Sequence, residues 1–187
     1  DCRINRIFEG TNEINRLLVA GTFLKRCGGA EGLPLAEAAA ADLDLPADPL
    51  LATVALAKAR ALKVIARAQA EQGPKILDNQ EAAAHIANLL VELYAMESAV
   101  VRAGKMAAAG HRWAPLARDL AEVYAQEAWN RVQSEARMLA GELASGETLD
   151  ALMADLLAMR APAPAPLSVL RNRIALALMD QGRYPIG

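Results

Sequence analysis

One carboxylate in the stretch Arg6-Ile-Phe-Glu-Gly-Thr-Asn-Glu-Ile14 has the strongest claim to chemistry, because its neighbours place it between two helices. Ile4, Ile7 and Phe8 recur at the three- and four-residue steps of a helix's last turn. Gly10 stands where a left-handed C-terminal cap costs least. Thr11 can cap a second helix, with Asn12 and Glu13 in its first turn, where negative charge is favoured. Thr-x-x-Ile lacks the Glu of a full capping box, so the cap rests on Thr11 alone. Glu9 is thereby held on a short connection between rigid elements, a common address for a catalytic side chain. The bland alternative is a solvated loop carboxylate, and spacing taken alone favours it.

Read as a longer string, Asp1-Cys-Arg-Ile-Asn-Arg-Ile-Phe-Glu-Gly-Thr-Asn-Glu-Ile-Asn-Arg16 resembles the C-terminal signature of the acyl-CoA dehydrogenase family. Phe8, Asn12 and Arg16 resemble the choices of its long-chain and very-long-chain branch. The resemblance implies that Glu9 is the base removing the α-proton of a fatty acyl-CoA thioester. It also implies that the backbone at Phe8, Glu9 and Gly10 borders that thioester, and that Thr11, Asn12 and Glu13 touch FAD. Some branches carry the catalytic Glu on another helix, whereas here it stands at the common position. The further implications are electron-transfer flavoprotein as acceptor, a homodimer, and a bacterial-type cytoplasmic location. Family members place a helical and a β domain before this motif. The chain starts at Asp1 inside what reads as a helix, without an initiator Met, so the resemblance predicts the C-terminal piece of a longer enzyme, inactive alone.

The chemistry accounts for the choice of Glu. A proton beside a thioester is weakly acidic, and a base serves best when its pKa rises toward the working pH. Burying Glu9 in an apolar acyl pocket would raise it by disfavouring the charged form. The flavin takes the β-hydride, leaving position and proton removal to the protein. A helix N-terminus at Thr11 also suits phosphate, although that signal alone is weak.

Composition bounds the scaffold. The 187 residues are 54% hydrophobic and 22% charged, with 4% aromatics. Abundant Ala, Leu, Glu, Arg and Lys favour helix, and no stretch alternates convincingly enough to be a strand. A formal charge of −2 and a pI near 5.8 argue against a nucleic-acid surface. Cys2, Cys27, His85 and His111 share no metal-ligand spacing, so no metal is expected. Two dispersed cysteines suit a reducing compartment, and the sequence contains no apolar run long enough to be read as a membrane span.

The pattern predicts an all-α fold of about six helices packed as an antiparallel bundle. Residues 1–27 read as the end of a catalytic helical domain, 28–48 as a linker with one short turn near Pro34–Ala41, and 49–187 as an additional helical domain. A helix from Asn12 to Arg26 would bury Ile14, Leu17, Leu18 and Leu24, ending at Cys27-Gly28-Gly29. Asp48-Pro49 starts the next, burying Leu51, Val54, Leu62 and Ile65 until Gly73-Pro74. Asp78 to Glu81 reads as a capping box for a helix whose Ile86, Leu89, Leu93, Met96 and Val100 form a heptad seam. Gly110 ends it and Pro115 opens another, with Leu116, Leu120, Val123, Tyr124, Val132, Ala136 and Leu139 inward. Shorter helices follow at about Thr148–Met159 and Leu167–Asp180, separated by a stiff Ala-Pro spacer. Lys75-Ile-Leu-Asp-Asn-Gln80 and Glu92-Leu-Tyr-Ala-Met-Glu-Ser98 resemble the extra helical domain of the very-long-chain type.

Other side chains read as structural. His85 reads as a packed or surface histidine, Glu92 and Glu97 as solvated charges on different helix faces, and Lys58, Arg60, Lys63 and Arg67 as a solvated basic flank. Tyr94, Trp113, Tyr124 and Trp129 read as core or interface anchors. Apolar residues beyond the seam, such as Leu90, Tyr94 and Val101, predict docking against another surface. A second subunit is the first choice, and peripheral membrane contact through the 58–67 flank the runner-up.

Overall fold

The structure, a computed structural model, describes residues 4–8, 10–28, 32–162, 165–182 and 184. These form seven α-helices and no strand among the described residues. They are α1 (Asn12–Cys27), α2 (Leu35–Ala40), α3 (Pro49–Gln72), α4 (Gln80–Ala108), α5 (Ala114–Leu143), α6 (Gly146–Ala158) and α7 (Leu167–Gln181). Short 3-10 turns occupy Ile4–Arg6 and Gly73–Leu77. The helix beyond the expected six is α2, a six-residue Ala-rich piece on the connector, where only a turn was predicted. The expected breaks at Glu9, at Gly29 and within the Ala-Pro spacer at 163–164 lie outside the described residues.

Local chemistry sets most helix ends. Asp48 caps α3 by accepting from the backbone N–H of Leu50 at 2.8 Å, and Pro49 takes the first helical position. Gly73 closes α3 at φ 53, a left-handed conformation that disfavours side chains. The capping box predicted at Asp78 is displaced by one residue. Asp78 closes the preceding 3-10 turn, donating its N–H to the Lys75 carbonyl. Asn79 is the residue that turns extended, and its side chain accepts from Ala82 N–H at 3.1 Å.

Cross-links between helices give the topology. Asn79 reaches Glu142, His85 reaches Glu135 and Glu92 reaches Arg131, so α4 and α5 run antiparallel. Asp48 meets Arg118 and Arg60 stacks on Trp129, so α3 runs parallel to α5 on its other side. The α4 seam is buried as predicted, and fully buried Ala57, Ala61, Ala83, Ala87, Ala125 and Ala128 let the backbones approach. By length and composition alone α4 could cross a membrane. Here its seam packs into the bundle, while Val91, Tyr94 and Val101 on its remaining surface are exposed.

Two predicted stripes are rotated. On α3, Leu51 is exposed while Leu50 joins Val54, Ala57, Ala61, Val64, Ile65 and Ala68 in the core. On α1, Ile14 and Leu18 are exposed. Leu17 and Leu24 face the bundle as predicted, joined by Ala20, because α1 lies along α4 and covers only one narrow stripe.

Candidate functional site

The predicted joint is tighter at its first half than a helix end. Ile7 and Phe8 donate their N–H groups to the Ile4 carbonyl at 2.9 and 3.0 Å, closing a 3-10 turn. Ile4, Ile7 and Phe8 are all exposed rather than packed as a helical stripe. Gly10 takes φ +94, so the chain turns where glycine was expected to permit it. Glu9 itself lies outside the described residues, between exposed Phe8 and Gly10.

The second half follows the sequence closely. Thr11 adopts an extended backbone and caps α1 by accepting from Ile14 N–H at 3.4 Å. Asn12 is half-buried at the first position of α1, and Glu13 is exposed in the first turn. Hydrogen bonding from its own backbone N–H, and then from Thr11, holds the Glu13 carboxyl below its ordinary pKa.

Two asparagines that sequence reasoning missed hold the joint. Asn15 reaches back to donate to the Gly10 carbonyl at 3.0 Å. A Cβ on Gly10 would lie 3.1 Å from Asn15 Oδ1 and, at φ +94, would be strained by the backbone as well. Arg16, valued above only as a branch marker, donates through Nε to Asn88 Oδ1 at 2.7 Å and pins α1 to α4. An amide one turn inside a helix after Gly-Thr is a usable local signal. Asn88, distant in sequence, offered none.

Around this joint Ile4, Ile7, Phe8, Ile14 and Leu18 stand exposed together with the N-terminus of α1. The joint thus carries the N-terminus of α1, several exposed apolar side chains and, by sequence, one carboxylate. It can present a base beside an apolar ligand, with a polar group of that ligand or a second ligand at the helix end.

Elsewhere the polar side chains resolve into supports. Glu92, expected solvated, is half-buried and accepts from Arg131 Nε at 2.8 Å, Arg131 Nη2 at 3.0 Å and Tyr124 OH at 3.2 Å. Burial, then the Glu92 charge, pushes the Tyr124 phenol up. His85 Nδ1 lies 2.7 Å from Glu135 Oε2, a packed pair. Glu97 pairs with Lys58, Asp155 with Lys63 and Glu71 with Arg67, so the basic flank is largely neutralised. Arg60 departs furthest from expectation: it is buried, because α5 and α6 close over that side of α3. Trp129 is buried and Trp113 half-buried, whereas Tyr94 is 76% exposed.

With this geometry in view, residues 56–158 match the family model described as "Acyl-CoA dehydrogenase, C-terminal domain". The whole chain is 33% identical to a probable acyl-CoA dehydrogenase of Bacillus subtilis (strain 168), covering 33% of that protein. It also superposes on the crystal structure of an acyl-CoA dehydrogenase complexed with FAD from Bacillus anthracis, with a TM-score of 0.88 and 32% identity. That match takes in 98% of this chain and 33% of the other, so the chain spans about a third of the length of these relatives.

Proposed function

Because this chain belongs to the acyl-CoA dehydrogenase C-terminal domain family, we propose that it serves an FAD-dependent acyl-CoA dehydrogenase of the long-chain or very-long-chain branch. In that reading Glu9 removes the α-proton of a fatty acyl-CoA, and Phe8 and Gly10 border the thioester. The observation that carries it is the Gly10–Thr11 joint, locked by Asn15, beside an exposed apolar shelf. Proton abstraction at one carbon requires a base beside the acyl chain, and the motif Phe8-Glu9-Gly10 supplies the carboxylate for it by sequence. Residues 1–27 would close the catalytic domain, 28–48 link, and 49–187 form the additional helical domain.

The residues at the joint suit one edge of FAD. Thr11 and Asn12 offer hydroxyl and amide groups at a helix N-terminus, with Ile14 and Leu18 exposed on the same helix. FAD, when bound, supplies the acceptor for the β-hydride. The chain's own part is to hold that edge with Thr11, Asn12 and Glu13, exclude water with the Ile7–Phe8 shelf, and take the proton on Glu9. Electron-transfer flavoprotein is the proposed acceptor and the cytoplasm the proposed location. Val91, Tyr94 and Val101, exposed along α4, favour a homodimer that covers them. The neutralised 58–67 flank gives membrane attachment less support.

In the full-length protein, Glu9→Gln keeps the shape and loses the base. Turnover should fall nearly to zero while flavin stays bound. A variant retaining most of the wild-type rate constant places the base elsewhere. Tyr94→Glu should shift sedimentation toward the monomer, and an unchanged oligomeric state removes α4 from the interface.

A further inference from the structure

Arg60, in the middle of α3, is 1% exposed. Its guanidinium lies 4.8 Å from the Trp129 ring centroid, and Nη2 donates to the Met159 carbonyl at the end of α6 at 2.5 Å. The second contact caps a helix C-terminus, where a cation is favoured. It does not supply a counter-charge. Nε is enclosed without an acceptor, and no carboxylate among the described residues lies within ion-pair distance of Arg60. A cation enclosed without an anion is costly, and burial draws its pKa down accordingly.

Arg60 also lines a cleft of about 640 Å³ between α5 and α6, and the polar lining around it has one sign. Arg137 stands there with Gln133 and Ser134, and no Asp or Glu contributes. Arg137 is exposed and, like Arg60, has no acidic partner among the described residues. Through Leu157 the cleft adjoins a second cavity of about 770 Å³, walled by Leu50, Trp129 and Met159. The one acid lining this second cavity, Glu122, acts on Arg118, which Asp48 already binds. Each cavity is within the size range of small-molecule sites; the first is lined by Arg60 and Arg137 without an acid, and the second is mainly apolar, with Arg118 and Arg160 also in its lining.

The geometry points to a binding site for a single-chain amphiphile with a carboxylate head, its head beside Arg60 and Arg137 and its chain running past Trp129 and Met159. Charge complementarity selects the anion, because the head would supply the counter-charge that Arg60 and Arg137 lack. The apolar cavity selects the tail, since a small inorganic anion would leave Leu50 and Trp129 facing water. The site lies on α3, α5 and α6 with Ala161, Pro162, Ala165 and Leu167 beside them, and uses neither Glu9 nor the Thr11 edge, so its existence does not depend on the proposed reaction.

Dodecanoate titrated into the full-length protein by calorimetry tests this, with dodecanol and inorganic phosphate as half-ligands. Dodecanoate should bind at least about tenfold more tightly than either. Arg137→Ala, on an exposed position that leaves the fold intact, should weaken dodecanoate about tenfold. Arg60→Met should do the same where its thermal unfolding remains cooperative. Dodecanoate binding that is absent, that dodecanol matches, or that Arg137→Ala leaves unchanged would overturn the assignment, whatever becomes of acyl-CoA turnover.

Discussion

Asp48 performs two tasks that substitution can separate. It caps α3 through Leu50 N–H at 2.8 Å and Leu51 N–H at 3.4 Å, and it takes a bidentate pair from Arg118 at 2.6 and 2.8 Å. Arg118, before the two backbone donors, holds its carboxyl down at about 2. The gap from an ordinary carboxylate near 4 sets a ceiling of about 2.5 kcal/mol. With 34% of the Asp48 side chain exposed, solvent screening reduces the pair's share to about 1 kcal/mol. The cap contributes about another 1 kcal/mol, because Ala cannot accept from the first-turn donors. Asp48→Ala should therefore cost about 2 kcal/mol at neutral pH, and Asp48→Asn, which keeps the cap, about 1. Urea unfolding of the two variants reads the difference from the midpoints at constant slope. The folded-state pKa is depressed, so this stability is present above about pH 4 and is lost as pH falls through about 2. Asn and Ala variants of equal stability would show that the cap contributes nothing and that the reasoning fails.

Gly10→Ala forces a side chain into φ +94 and a Cβ to 3.1 Å from Asn15 Oδ1. Amide exchange at Asn12 and Glu13 should quicken, with about 1 kcal/mol lost locally, and unchanged exchange would remove the lock. Ile86→Ala, at a fully buried site on the α4 seam, should cost about 3 kcal/mol in urea, and a loss under about 1 would displace Ile86 from the core. Arg131→Ala strands the half-buried Glu92, so the single variant should be less stable than Arg131→Ala/Glu92→Ala. Simple additivity in that cycle would mean that the pair is solvated.

Helix identity, most termini and the Gly10–Thr11 half of the joint were legible in the sequence because short-range chemistry sets them. Thr11, Asp48-Pro49, Gly73 and Gly110 act on backbone groups within a turn of themselves. The α4 seam was legible for the same reason, since periodicity is local even when its partner is not. Tertiary structure decided what two helices share. Leu50 rather than Leu51 is buried because it lies on the side of α3 that faces α5. Arg60 is enclosed because α6 ends over it, and Glu92 is bound because α5 returns Arg131 and Tyr124 beside it. Asn88 holds Arg16 only because α1 folds back onto α4. A side chain's local pattern states which face it occupies, whereas the charge or surface that face meets depends on how distant segments pack.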